Sequence, residues 1–142
     1  MGMNKLMLAT LLALPLGQAH AQGAKEPLPA STPIEALKPG EWLWYADAVP
    51  EGPMLLMVSI TQQKAFLYRN GIRVGASTIS TGKKGYETPT GVFTILQKHK
   101  DHRSNLYDDA PMPYMQRLTW SGVALHAGNL PGYPASHGCV RM

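Results

Sequence analysis

Only one cysteine, Cys139, stands in the 142-residue chain. An internal disulfide is therefore excluded, and the fold must hold without covalent staples. Charged residues are sparse, at 15%, while the 44% hydrophobic content is ordinary for a globular protein. No stretch of about twenty apolar residues occurs, which excludes an ordinary membrane-spanning helix. No basic cluster is interleaved with aromatics, so the chain lacks a nucleic-acid-binding signature. It also lacks internal repeats, CxxC and HExxH motifs, and any alternation of strand and helix patterns that would indicate a parallel α/β sheet.

What is present points to one domain with a modest core. Twelve prolines and fourteen glycines imply many turns and favour a β-rich fold over a helical bundle. The N-terminus has the pattern of a secretory signal. Lys5 supplies a positive start, residues 6–16 form an apolar run too short to span a bilayer, and Ala19-His20-Ala21 gives a small-x-small cleavage site. Residues 1–21 are thus expected to be removed on export to the periplasm or cell wall. No cysteine follows the apolar run, so it offers no acceptor for a lipid. Cleavage would lower the formal net charge from +4 to +3, a mild basicity suited to work beside an anionic wall and, at most, peripheral membrane association. Residues 22–52 begin rich in Pro, Ala, Ser and Lys and are expected to be a flexible leader. Residues 53–142 are the expected domain.

Along that domain, residues 54–60 (MLLMVSI) read as a buried strand. Residues 65–69 and 72–80 flank Asn70-Gly71, a dipeptide suited to a type I′ hairpin turn. Residues 80–91 (STGKKGYETPTG) form a turn-rich loop. Residues 92–97 and 118–126 are further strand candidates, with Trp120, Val123 and Leu125 as core contributors. Between them, residues 98–116 are long and polar and read as a loop, with Tyr107, Met112, Tyr114 and Met115 as candidate lining of a substrate pocket. Such a loop is functional or disordered in most compact domains. Short helices are conceivable at 34–37 and 109–116. Short strands separated by turns indicate a mainly β fold, a sandwich or barrel-like sheet with a minor helix.

The chemistry concentrates in the last seventeen residues, HAGNLPGYPASHGCVRM. An odd cysteine in an exported protein is an intermolecular partner or a free reactive thiol, and an oxidising compartment makes an idle exposed thiol a liability. A thiol becomes nucleophilic when a base or positive surroundings ionise it. His126, His137 and Arg141 all lie within thirteen positions of Cys139. On a strand, His137 would share a face with Cys139. Gly138 permits a tight turn that can aim N–H groups at one spot, as an oxyanion hole requires. Two other readings stay open on spacing alone. Cys139, between Gly138 and Val140, suits burial as a small hydrophobe. His126, His137 and Cys139, with His99 and His102, have the ligand types of a metal site.

This segment resembles the signature of the L,D-transpeptidases, the YkuD-type catalytic domain of bacterial cell-wall enzymes: a histidine, a glycine two positions on, a variable loop, then Ser-His-Gly-Cys and an arginine. The resemblance extends upstream through the hairpin and the STG…TPTG loop and covers residues 54–142. It implies that Cys139 is the nucleophile and His126 its general base. The backbone of His137, Gly138 and Cys139 would form the oxyanion hole, with Ser136 and Arg141 shaping the loop. Some members orient the histidine with a serine; here that position is Ala127, which offers only its backbone carbonyl. The implied reaction is acyl transfer on peptidoglycan stem peptides through a thioester. Terminal D-Ala would leave, and an amine of a second stem or of a wall-anchored protein would accept the acyl group, with no metal or organic cofactor. A peptidoglycan hydrolase on the same scaffold, or an inert wall-binding or metal-binding remnant, are the competing readings. The resemblance also implies a domain shortened at its C-terminal end, since family domains continue past the position of Met142.

Overall fold

A computed structural model describes residues 27–142. The expected signal segment, residues 1–21, lies outside the described residues. Among the described residues the fold is mainly β, with two four-stranded sheets and two single-turn 3₁₀ helices, Ile34–Ala36 and Ala46–Ala48. The strands are β1 (Trp42–Trp44), β2 (Met54–Ser59), β3 (Lys64–Arg69), β4 (Ile72–Thr78), β5 (Gln97–Arg103), β6 (Pro111–Arg117), β7 (Ala124–His126) and β8 (Val140–Arg141). The first sheet has the order β1-β4-β3-β2 and the second β5-β6-β7-β8.

The expected hairpin is present. Asn70 and Gly71 both take positive φ, 50° and 76°, and join β3 to β4. Side-chain alternation along these strands divides the core. Ala65 packs with Ile79, Leu125 and Val140, so this face of the first sheet meets the second sheet. Ala76, with Phe66 packed against it, faces the other way, onto Ile34, Leu37 and Leu43. Residues 28–48 are therefore not a leader hanging free of the domain. β1 pairs antiparallel with β4 (Leu43↔Ala76), Leu28 bridges Leu43, and Leu43 is buried. A polar, proline-containing composition masked three well-spaced apolar anchors. The helical turn expected near 34–37 is found at Ile34–Ala36.

Further expectations are corrected. The strand expected to be buried at 54–60 is β2, at the edge of its sheet, with Met54, Leu55 and Met57 exposed. Residues 92–96 form no strand: Val92 is fully exposed and Phe93, Ile95 and Leu96 are also exposed. β-branched composition favours a strand only where a partner edge is available. The polar segment that follows builds a hairpin instead, with β5 and β6 in antiparallel register from Gln97↔Arg117 to Arg103↔Pro111. Its polarity and its prolines point to a loop, with a short helix conceivable at 109–116, because both argue against a strand. Yet the Pro113 carbonyl accepts from the Ala127 N–H at 2.8 Å. In extended backbone a residue's N–H and C=O point to the same side, so the N–H that Pro113 lacks would have faced away from β5. Of residues 118–126 only Ala124–His126 form a strand. The segment before it turns through Gly122, leaving Trp120 exposed and Val123 half-buried, while Leu125 joins the core.

The two sheets are stitched together beside β8. Residue 80, just past β4, exchanges both backbone hydrogen bonds with Arg141: Ser80 N–H to Arg141 O at 3.0 Å and Arg141 N–H to Ser80 O at 2.9 Å. On its other side β8 runs parallel to β7. This short strand therefore sits between elements of both sheets.

Candidate active site

Parallel pairing of β7 with β8 sets the geometry. Leu125 lies opposite Val140 and His126 opposite Arg141. Successive side chains on a strand alternate in direction. Leu125 and Val140 point into the core between the sheets, so Ala124, His126, Cys139 and Arg141 project from the opposite face. A cleft of about 1190 Å³ opens there, and His126, Cys139 and Arg141 all line it, together with Tyr107, Met112 and Tyr114. Thirteen residues of separation in sequence thus collapse to neighbouring strands, which sheets space about 5 Å apart.

His126 Nδ1 lies 2.9 Å from the Ala127 carbonyl oxygen. A carbonyl can only accept, so Nδ1 carries the proton and Nε2 keeps its lone pair. Burial pushes the His126 imidazole below its ordinary value; the Ala127 bond opposes this, while Arg141 and His102 reinforce it. Burial likewise pushes the Cys139 thiol above its ordinary value, against the Ala124 backbone and the Arg141 and Arg117 charges. Both shifts favour a neutral thiol beside a neutral imidazole at rest. Cys139 is half-buried, its Sγ 3.6 Å from the Gly122 carbonyl oxygen, and it packs against the core of Met112, Met115 and Ala124.

The turn before Cys139 is fixed by serine. Ser136 is buried; its Oγ accepts from the Gly138 N–H at 3.1 Å and donates to the Cys139 carbonyl at 2.6 Å. Gly138 has φ +115°, a conformation open to glycine. Despite that left-handed step, His137 lines the same cleft as Cys139. It is exposed and held between two tyrosines, stacked on Tyr107 (ring centroids 4.6 Å apart) and edge-on to Tyr86 (4.7 Å). Arg141 runs past Gly128, where a Cβ would stand 3.2 Å from its Cδ.

Of the residues expected to line a pocket, Tyr107, Met112 and Tyr114 do so. Met115 does not reach the large cleft. It is fully buried, packs against Cys139 and borders a smaller cavity of about 70 Å³ that Cys139 also lines. His99 and His102 pack edge to face on β5, and no group of three or more His, Cys, Asp or Glu side chains suited to a metal is found among the described residues. The expected role of 80–91 as an ordinary loop understates it. Ser80 Oγ donates to the Tyr133 carbonyl at 2.8 Å. The Thr81 carbonyl accepts from the Ala135 and Ser136 N–H groups, and Thr88 Oγ1 donates to the Gly138 carbonyl at 2.8 Å. The density of Ser and Thr in that stretch was the available signal, but hydroxyl partners lie fifty residues away.

Fold and site together define a class: a two-sheet β protein with a cysteine–histidine cleft where the sheets join. The L,D-transpeptidase catalytic domain family, YkuD, matches residues 53–142, and the chain belongs to that family. Among solved structures, it is similar to an L,D-transpeptidase (Yku) from Stackebrandtia nassauensis, at 29% identity and TM-score 0.57 over 68% of this chain and 49% of that one. An L,D-transpeptidase from Xylanimonas cellulosilytica is similar at 26% identity and TM-score 0.56, over 65% and 50% of the two chains. An LD transpeptidase solved in complex with imipenem matches at 26% identity and TM-score 0.56, over 63% and 49%. The chain therefore spans about half the length of these relatives. Curated proteins gave no match.

Proposed function

We propose that the chain is a cysteine acyltransferase of the L,D-transpeptidase type, acting on peptidoglycan stem peptides. The observation that carries this reading is the placement of His126 and Cys139 on one face of paired strands in one cleft, with Nδ1 tied to the Ala127 carbonyl. His126 Nε2 takes the thiol proton as Cys139 Sγ attacks the carbonyl carbon of the residue that precedes terminal D-Ala. Within the 137–139 turn the Gly138 N–H is taken by Ser136 Oγ, which leaves the Cys139 N–H to meet the oxyanion. As the tetrahedral centre collapses, the C–N bond breaks and D-Ala leaves with the proton from His126. The thioester is then attacked by an amine of a second stem or of a wall-anchored protein; His126 accepts the amine proton and returns it to sulfur. Arg141 favours the thiolate and opposes charge on His126, which keeps the imidazole unprotonated and free to accept a proton while making it a weaker base. Residues 1–21 support export of this activity to the periplasm or cell wall, and fractionation of a tagged full-length chain tests that localisation.

The direct test is intact-mass analysis after incubation with imipenem. The β-lactam ring opens on Cys139, adding one whole drug molecule, and Cys139→Ala adds none. A wild-type protein that gains no mass, or a Cys139→Ala variant that gains as much, removes the basis of the proposal. Muropeptide analysis then separates outcomes: new cross-links indicate transfer to an amine, shortened stems alone indicate hydrolysis.

A further inference from the structure

We infer that Thr88 is a positioning residue for this acyl transfer, turning the Cys139 N–H toward the cleft as an oxyanion donor; the inference rests on the function proposed above. Thr88 lies in the TPTG stretch of the 80–91 loop, is 9% exposed and is not among the residues lining the cleft. Its Oγ1 has two backbone partners: the Gly82 N–H at 2.9 Å and the Gly138 carbonyl at 2.8 Å. The Gly82 N–H can only donate, so the hydroxyl's single proton goes to the Gly138 carbonyl. Gly82 is required for this contact, because a Cβ there would collide with the Tyr86 carbonyl.

The Gly138–Cys139 peptide is trans, as are all the described peptide bonds. In a trans unit the C=O and N–H point in opposite directions. Anchoring the Gly138 carbonyl on the loop behind the turn therefore sends the Cys139 N–H the other way, toward the cleft. Glycine makes an anchor necessary, since its backbone freedom would otherwise let this peptide plane rotate. Ser136 fixes the flanking groups, the Gly138 N–H and the Cys139 C=O. The two hydroxyls thus hold three of the four polar backbone groups around the turn. The fourth, the Cys139 N–H, has no acceptor among the described residues.

Two reactions at the same sulfur test this. Ring-opening by imipenem passes through a tetrahedral oxyanion, whereas alkylation by iodoacetamide displaces iodide at a saturated carbon and forms none. Thr88→Val is expected to slow acylation about 10- to 100-fold, up to the loss seen when an oxyanion donor is removed, with alkylation unchanged. Thr88→Ser, which keeps the hydroxyl, is expected to restore acylation. Should Thr88→Val not fold, Thr88→Ser against Thr88→Ala makes the same comparison. Acylation at the wild-type rate in the variants without a hydroxyl overturns the inference, as does an equal fall in both reactions or a Ser variant as slow as its partner. A wild-type chain that imipenem never acylates defeats the proposed function itself, and this inference with it.

Discussion

At the scale of single residues, Cys139 and His126 are poised by burial in opposite directions. Burial raises the thiol and lowers the imidazole, so each is held in its neutral form. The sign of each shift fixes a pH dependence. A lowered imidazole stays deprotonated, and so able to accept a proton, at pH values below the ordinary histidine range; acylation by imipenem is expected to persist there and to fade only as His126 protonates. A raised thiol stays protonated above the ordinary cysteine range. Alkylation of Cys139 by iodoacetamide should therefore keep climbing with pH through that range. A rate already level at neutral pH would show a resting thiolate and contradict the neutral pair. Cys139 and His126 were legible as candidates, because their residue types and the block around them are distinctive. The role of Thr88 was not, since a threonine in a turn-rich loop gives no hint of a carbonyl fifty residues away.

At the scale of elements, the β5–β6 hairpin decides one wall of the cleft. Its tip carries Tyr107, which stacks on His137, while its second strand supplies Met112 and Tyr114 to the cleft and Met115 to the core. An aromatic pair of this kind contributes about 0.5–1.5 kcal/mol beyond its area burial. Tyr107→Ala should therefore loosen the tip without unfolding the domain, read as faster amide exchange confined to residues 104–110. Protection unchanged in that stretch would show that the stack does not hold the tip. The hairpin was invisible in sequence because its first strand, QKHKDHR, is largely exposed and carries no apolar alternation. The Asn70-Gly71 hairpin was legible for the converse reason: two positive-φ residues in a row are a local requirement that few dipeptides meet.

At the scale of the whole molecule, the segment before the family match is part of the fold. Leu43 is 2% exposed and packs with Ile34, Leu37 and Ala76 on the outer face of the first sheet. Leu43→Ala should lower stability by about 2–5 kcal/mol, measured by denaturant unfolding. A loss near zero would mean that residues 28–48 are a tether after all. The sequence by itself determined the fold class, the hairpin turn and the cysteine–histidine block, because each rests on local chemistry: alternation, backbone conformation and residue type. Only the tertiary structure decided what surrounds the thiol. The parallel pairing of β7 with β8 puts His126 and Cys139 on one face. Tyr107 and Tyr86 hold His137 at the cleft between their rings. The 80–91 loop reaches across the chain to grip the turn before Cys139. These are long-range hydrogen bonds and packing choices between segments that look polar or irregular alone, and only their juxtaposition gives them a partner.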